Sequence, residues 1–179
     1  MIPAEYGWLR KETGPKVLLA AIADLGVKEV PGAPSNPVIL GWAKELGIQG
    51  YTNDGIAWCA LAVSHWVHQA GYEPAKKPLW ALDYATWGVA ADKPSLGDVL
   101  VFRRKLPSGG FAGHVGLYVA ETPTHFIVLG GNQADQVCLS PVAKGKLVAA
   151  RRSPWKVAQP TNVRPIRLAA GTTVETSQA

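Results

Sequence analysis

Three residues of this chain have the chemical types, in a suitable order, for nucleophilic catalysis. Cys59 stands near the start of an apolar helical pattern, His114 at the start of an alternating strand pattern, and Asn132 directly after the next strand pattern. A thiolate is a nucleophile, and an imidazole beside it can act first as general base and then as general acid. An amide that accepts the second ring proton fixes the tautomer and orientation of the imidazole. The sequence therefore offers Cys59, His114 and Asn132 as a candidate catalytic triad.

Each of the three residues also has a purely structural interpretation. A free cysteine is often a small core residue, a histidine can cap a strand, and Gly130-Gly131-Asn132 is an ordinary turn sequence. Their joint order favours catalysis, because a cysteine at a helix start, a histidine on a strand and a polar residue at the next strand end is the papain-like order.

The position of Cys59 predicts an activated thiol. The residue follows a loop at 51–55 and lies near the first turn of a helix. Unpaired backbone N–H groups and the helix dipole favour an anion there. We therefore expect the pKa of the Cys59 thiol to lie below its usual value of about 8.5.

The elements that must position these residues follow from hydrophobic periodicity. Apolar residues recur at helical spacing and then, from residue 98, at the alternating spacing of strands. Helices before strands predict an α+β domain, with helices packed on a mostly antiparallel sheet of about five to six strands. The predicted helices are 15–25, 38–46 and 56–70, and the predicted strands are 98–102, 115–120, 126–129, 137–140 and 147–151.

Length and composition predict one folded domain. The chain has 179 residues, of which 47% are hydrophobic and 17% charged, so it can bury a core. We expect a single catalytic domain at residues 1–158 and a flexible tail or truncated linker at 159–179, where periodicity ends. No apolar run is long enough to cross a membrane, and the first ten residues lack a signal-peptide pattern. We therefore expect synthesis in the cytoplasm.

Net charge and the spacing of histidines and cysteines indicate which ligands and metals the protein is expected to bind. A net charge of +5 predicts attraction to anionic surfaces such as the bacterial envelope. No nucleic-acid recognition motif is present, so a specific nucleic-acid ligand is not expected. The spacing of the four histidines and two cysteines does not favour zinc, although a zinc-dependent amidase remains a rival. We expect no metal, no organic cofactor and a monomer.

Several short motifs along the chain carry a resemblance to known proteins. They are Trp58-Cys59-Ala60, Gly97-Asp98-Val99, Gly113-His114-Val115-Gly116, Val30-Pro31-Gly32, Asn36-Pro37, Gly130-Gly131-Asn132-Gln133 and Arg151-Arg152. Together these motifs resemble the CHAP and NlpC-type peptidoglycan hydrolases, including a compact branch often found in phage lysis proteins, and the resemblance covers roughly residues 15–155.

The resemblance implies a papain-like fold and cleavage of an amide bond in peptidoglycan. By the family pattern Cys59 is the nucleophile, His114 the base and acid, and Asn132 the orienting residue, with Gln133 as the neighbouring alternative. NlpC-type members usually carry Asp directly before the cysteine, whereas Trp58 stands there in this chain. The nearest acid, Asp54, is expected to orient its loop or to bind a substrate amine.

The implied activity is that of a muramoyl-alanine amidase or a stem-peptide or cross-bridge endopeptidase, typical of a phage-type lysin. Such a protein would reach the wall through holin pores, a secretion machine or lysis. Aromatic faces suit sugars and stem peptides, so Trp58 is a candidate substrate-binding residue with Asp54 and Gln133. The other interpretations are a non-catalytic wall-binding module and a cysteine peptidase or acyltransferase directed at proteins.

Overall fold

In the computed structural model, which describes residues 2–106 and 109–168, helices precede strands along the chain. The α-helices are Lys16–Ala23 (α1), Pro37–Glu45 (α2) and Cys59–Gln69 (α3), and 3₁₀ helices occupy Ala4–Lys11, Ala81–Thr86 and Lys144–Lys146. The strands are Val89–Ala90 (β1), Val99–Lys105 (β2), Phe111–Glu121 (β3), His125–Gln133 (β4), Gln136–Ala143 (β5) and Leu147–Arg152 (β6).

The strands form one six-stranded sheet in the order β1-β6-β2-β3-β4-β5. Every neighbouring pair is antiparallel. The predicted α+β class is therefore confirmed, and β2 and β3, which carry much of the site, lie in the interior of the sheet.

The larger core lies between the helices and one face of this sheet. The helix α3 packs on β3 and β4, and its residues from Cys59 to Ser64 are all buried. Val115, Leu117 and Val119 belong to the same buried cluster, as alternation along β3 requires. Burial on nearly every side explains why α3 is apolar around most of its circumference.

The opposite face of the sheet carries a smaller apolar cluster, formed by Leu100, Phe102, Tyr118, Phe126 and Val128. His114 belongs to this face, because its ring lies over the ring of Phe102 with a centroid distance of 6.3 Å. His114 therefore lies on the same face of the sheet as this smaller cluster.

The chain between residues 160 and 168 differs from the predicted flexible tail. The backbone N–H of Leu96 donates to the carbonyl of Arg164 at 2.9 Å, and Glu121 exchanges backbone hydrogen bonds with Ile166 and Leu168. Val163 is buried. Apolar side chains and a free edge at the end of β3 thus hold this segment, while residues 169–179 lie outside the described residues. No helix among the described residues is long and apolar enough to span a bilayer.

Candidate active site

The nucleophile candidate Cys59 is the first residue of α3. The preceding Trp58 is fully buried, its indole N–H donates to Glu29 Oε2 at 3.2 Å, and its side chain makes no capping hydrogen bond to the helix. The Cys59 thiol interacts with the backbone N–H groups of Val115, Ala60 and Cys59, which favour its thiolate form. Val115 is the residue after His114 on β3. Cys59 therefore lies at an uncapped helix start beside the strand that carries the histidine.

His114 is held by Gln133. The His114 Nε2 and Gln133 Oε1 atoms are 3.0 Å apart, and the Gln133 amide nitrogen donates to the carbonyls of Val128 and Cys138 at 3.2 and 2.6 Å. Because the amide nitrogen is committed to these two carbonyls, the amide oxygen faces the ring and must accept a proton from Nε2. This fixes the tautomer, and it leaves Nδ1 of the neutral imidazole unprotonated.

Asn132 departs from its predicted role. Gln133 makes the hydrogen bond to the ring, whereas Asn132 lines the cleft with a left-handed backbone conformation, φ 55°. The β4–β5 pairing shifts register between Gly130 and Gln133. This irregularity changes which side chain faces His114, so the neighbouring alternative takes the orienting position.

Two glycines before this turn allow the close packing. A Cβ on Gly130 would lie 2.9 Å from Gln133 Oε1, so the orienting amide occupies the space of an absent side chain. A Cβ on Gly131 would lie 2.7 Å from the Trp58 ring. The absence of a side chain at Gly130 thus lets Gln133 approach His114, and its absence at Gly131 lets the Trp58 ring pack in the core.

Burial shifts the pKa of both reacting groups toward their neutral forms. It raises the pKa of the Cys59 thiol above its usual value, although the backbone N–H groups of Val115, Ala60 and Cys59 oppose the shift. It lowers the pKa of His114, and the hydrogen bond that the ring donates to Gln133 opposes that change. The expected lowering of the thiol pKa at the helix start is therefore wrong, because desolvation outweighs the N–H donors.

Cys59, His114, Asn132 and Gln133 line one open cleft with a volume of about 450 Å³. The cleft is also lined by polar and cationic residues that the sequence patterns did not assign to the site. They are Arg103, Arg104, Ser140 and Lys146. Phe102 lies below His114, and Cys138 donates to the Gln133 carbonyl at 3.3 Å. The exposed basic end of β2 was the signal that could have pointed to Arg103 and Arg104.

Two predicted substrate-binding residues, Trp58 and Asp54, have structural positions instead. Trp58 is core, for the reasons above. Asp54 Oδ2 accepts backbone N–H groups of Val30 and Asn36 at 3.0 and 2.8 Å. Burial raises the pKa of Asp54, but these donors outweigh it and leave the pKa below its usual value. Neither side chain lines the cleft, so Asp54 holds the 30–36 loop.

The remaining histidines lie outside the cleft lining. His65 stacks on Trp42 between α2 and α3, with ring centroids 5.1 Å apart. Within residues 2–106 and 109–168, no group of three or more His, Cys, Asp and Glu side chains is placed to hold a metal ion. The arrangement that remains is a thiol and an oriented imidazole in one cleft, which can carry out acyl transfer.

No protein-family model matches the chain, and no curated protein matches it. Among solved structures, the chain is similar to a Staphylococcus aureus protein described as similar to lipoprotein, NLP/P60 family, with 18% identity and a TM-score of 0.45. The alignment covers 84% of this chain and 42% of that one, so the chain spans less than half the length of this neighbour.

Proposed function

We propose that this protein is a cysteine-dependent hydrolase that cleaves an amide bond of bacterial peptidoglycan, in the manner of a phage-type lysin. The observation that carries the proposal is the common cleft of Cys59 and the His114–Gln133 pair. The bond cut is the muramoyl-alanine amide or a peptide bond of the stem or cross-bridge.

The first step is formation of an acyl-enzyme. His114 Nδ1 takes the proton of the Cys59 thiol, and the sulfur attacks the carbonyl carbon of the scissile amide. The backbone N–H of Cys59 at the uncapped start of α3 is a donor for the resulting oxyanion. The imidazolium then gives its proton to the departing amine, which leaves a thioester on Cys59.

The second step is hydrolysis of the thioester. His114 takes a proton from a water molecule, the hydroxide attacks the acyl carbon, and the free carboxylic acid leaves as the thiol recovers its proton. Through both steps Gln133 Oε1 accepts the Nε2 proton, which keeps Nδ1 directed at the reaction. No step in this mechanism requires a cofactor.

The choice of peptidoglycan rests on the motif resemblance and on charge. The net charge of +5 favours residence on an anionic cell wall. The proposal places action at the wall after release from the cytoplasm, and it takes the protein as a monomer.

The test is clearing of purified peptidoglycan, followed by mass spectrometry of the released fragments. Wild-type protein should lower the turbidity, and Cys59→Ala and His114→Ala should not. His125→Ala is the matched control, because His125 lies outside the cleft, and it should clear like wild type. Equal clearing by wild type and Cys59→Ala, with both proteins folded by circular dichroism, would remove the proposed mechanism.

A further inference from the structure

We propose that the end of the cleft formed by Arg104 and Lys146, here called the cationic end, binds a carboxylate of the substrate. The inference rests on the proposed function and adds a substrate preference to it. The enzyme selects stem peptides with free carboxylates over the same peptides in which the carboxylates are amidated.

The register of the sheet places these charges beside the reacting groups. Phe102 pairs with His114 across β2 and β3, and Arg104 pairs with Ala112. Since side chains two residues apart share a face, Arg104 lies on the His114 face, about 7 Å along the strand from Phe102. On the other side Leu147 of β6 pairs with Phe102, and Lys146 precedes it. Arg104 and Lys146 therefore both lie beyond the Phe102 ring, toward the C-terminal end of β2.

The charges at the cationic end are not neutralised by the protein. The cleft lining contains no Asp or Glu. Ion pairs among the described residues involve other cations, and none includes Arg103, Arg104 or Lys146. Arg103 alternates to the other face of β2, where it lies over the Phe111 ring, 4.7 Å from its centroid, and it is not part of the cationic end. The cationic end therefore presents positive charge to the cleft without an acidic partner among the described residues.

A carboxylate on the substrate matches this chemistry. Guanidinium groups bind carboxylates through paired, charge-assisted hydrogen bonds, and an ammonium group adds a point charge. Peptidoglycan stem peptides carry such carboxylates on their γ-linked glutamate and on their diamino acid or terminal residues. A carboxamide has the same shape without the charge, so it loses the attraction and presents a donor to donors.

The experiment compares two cross-linked muropeptides, each of which contains the muramoyl-alanine amide, the stem and the cross-bridge. The two differ only in carrying carboxylates or carboxamides on the stem. For wild type we expect kcat/KM to favour the free acid by about 10- to 100-fold. The Arg104→Gln/Lys146→Gln double variant should bring that ratio close to one. Lys76→Gln, which removes an exposed charge outside the cleft, is the matched control and should keep the wild-type ratio. Thermal unfolding of each variant checks the fold.

Binding separates this inference from the proposed function. Calorimetry with Cys59→Ala protein measures the affinity for both muropeptides without cleavage, and the free acid should bind at least about tenfold more tightly. Equal affinity for the two muropeptides, or an unchanged preference in the double variant, would overturn the cationic end as a carboxylate site. Absence of cleavage by wild type together with preferential binding would count against the hydrolase and support the site.

Discussion

The start of α3 and the β4–β5 hairpin both bring a side chain into the cleft, but they are held by different forces. At the start of α3, Trp58 is fully buried and the following residues pack into the main core. In the hairpin, the Gln133 side chain is held by hydrogen bonds to the carbonyls of Val128 and Cys138. Its two neighbours in the chain, Asn132 and Ala134, have left-handed backbone conformations. Cys59, the proposed nucleophile, is thus positioned by apolar packing, and the orienting residue Gln133 is positioned by polar contacts.

This contrast separates stability from activity. Loss of packing at the start of α3 removes free energy of folding from the whole domain, because the same residues form the core. Loss of a polar contact in the hairpin misplaces the imidazole while most of the core remains intact. Mutations in the two regions should therefore differ in which quantity they change most.

The largest effect is expected at the start of α3. Trp58→Ala should lower the free energy of unfolding by about 3–5 kcal/mol, because it empties the space of a large, fully buried side chain. Chemical denaturation measures this loss, with Trp80→Ala as control, since the Trp80 side chain is 67% exposed. A loss at Trp58 no greater than at Trp80 would contradict the core position of Trp58.

The second effect is expected in the hairpin. Gln133→Leu should reduce kcat/KM for peptidoglycan fragments by about 10²-fold, because the imidazole loses the acceptor that fixes its tautomer. Denaturation should show a smaller loss, about 1–3 kcal/mol, from the carbonyls of Val128 and Cys138 that lose their donor.

Asn132 provides the comparison for Gln133. Asn132→Gly keeps the left-handed turn, because glycine adopts positive φ without strain. It removes the side chain that the sequence pattern placed against His114, and kcat/KM should fall less than about tenfold. A greater loss for Asn132→Gly than for Gln133→Leu would return the orienting role to Asn132.

The sequence predicted the regular elements of the fold well and the irregular ones poorly. The pattern at 56–70 located the helix Cys59–Gln69, because buried residues at helical spacing leave a direct trace in the sequence. The 3₁₀ helices Ala4–Lys11 and Ala81–Thr86 were missed, since such short turns have no long period to detect. The packed segment 160–168 was missed because its contacts are with distant strands.

For the candidate site, too, the sequence predicted the features of regular elements and not those of irregular ones. Cys59 and His114 could be found because Cys59 begins α3 and His114 directly precedes the buried part of β3, and the structure places both at the same cleft. The choice between Asn132 and Gln133 depends on a register shift at Gly130, and no pattern of residue types encodes such a shift. The pKa of Cys59 depends on burial from all sides, which a helix position alone does not reveal.

The smallest expected effect is on pH dependence. Burial lowers the pKa of His114, so the neutral, basic form persists as the pH falls, and the acid limb of kcat/KM should lie below the ordinary imidazole value of about 6.5. The hydrogen bond from His114 to Gln133 raises that pKa. Its loss in Gln133→Leu should therefore move the acid limb to still lower pH.

The thiol completes this pH argument. Burial raises the pKa of Cys59, so the thiolate should form only at a pH above the ordinary cysteine pKa of about 8.5. The rate of alkylation by iodoacetamide should therefore increase as the pH rises above that value. Subtracting the rate measured for Cys59→Ala removes the contribution of Cys138. A rate that stays high and constant down to acid pH would instead show a thiolate–imidazolium pair at rest. In that case the backbone donors at the start of α3 would outweigh burial, and the nucleophile, like Gln133, would be set by polar contacts.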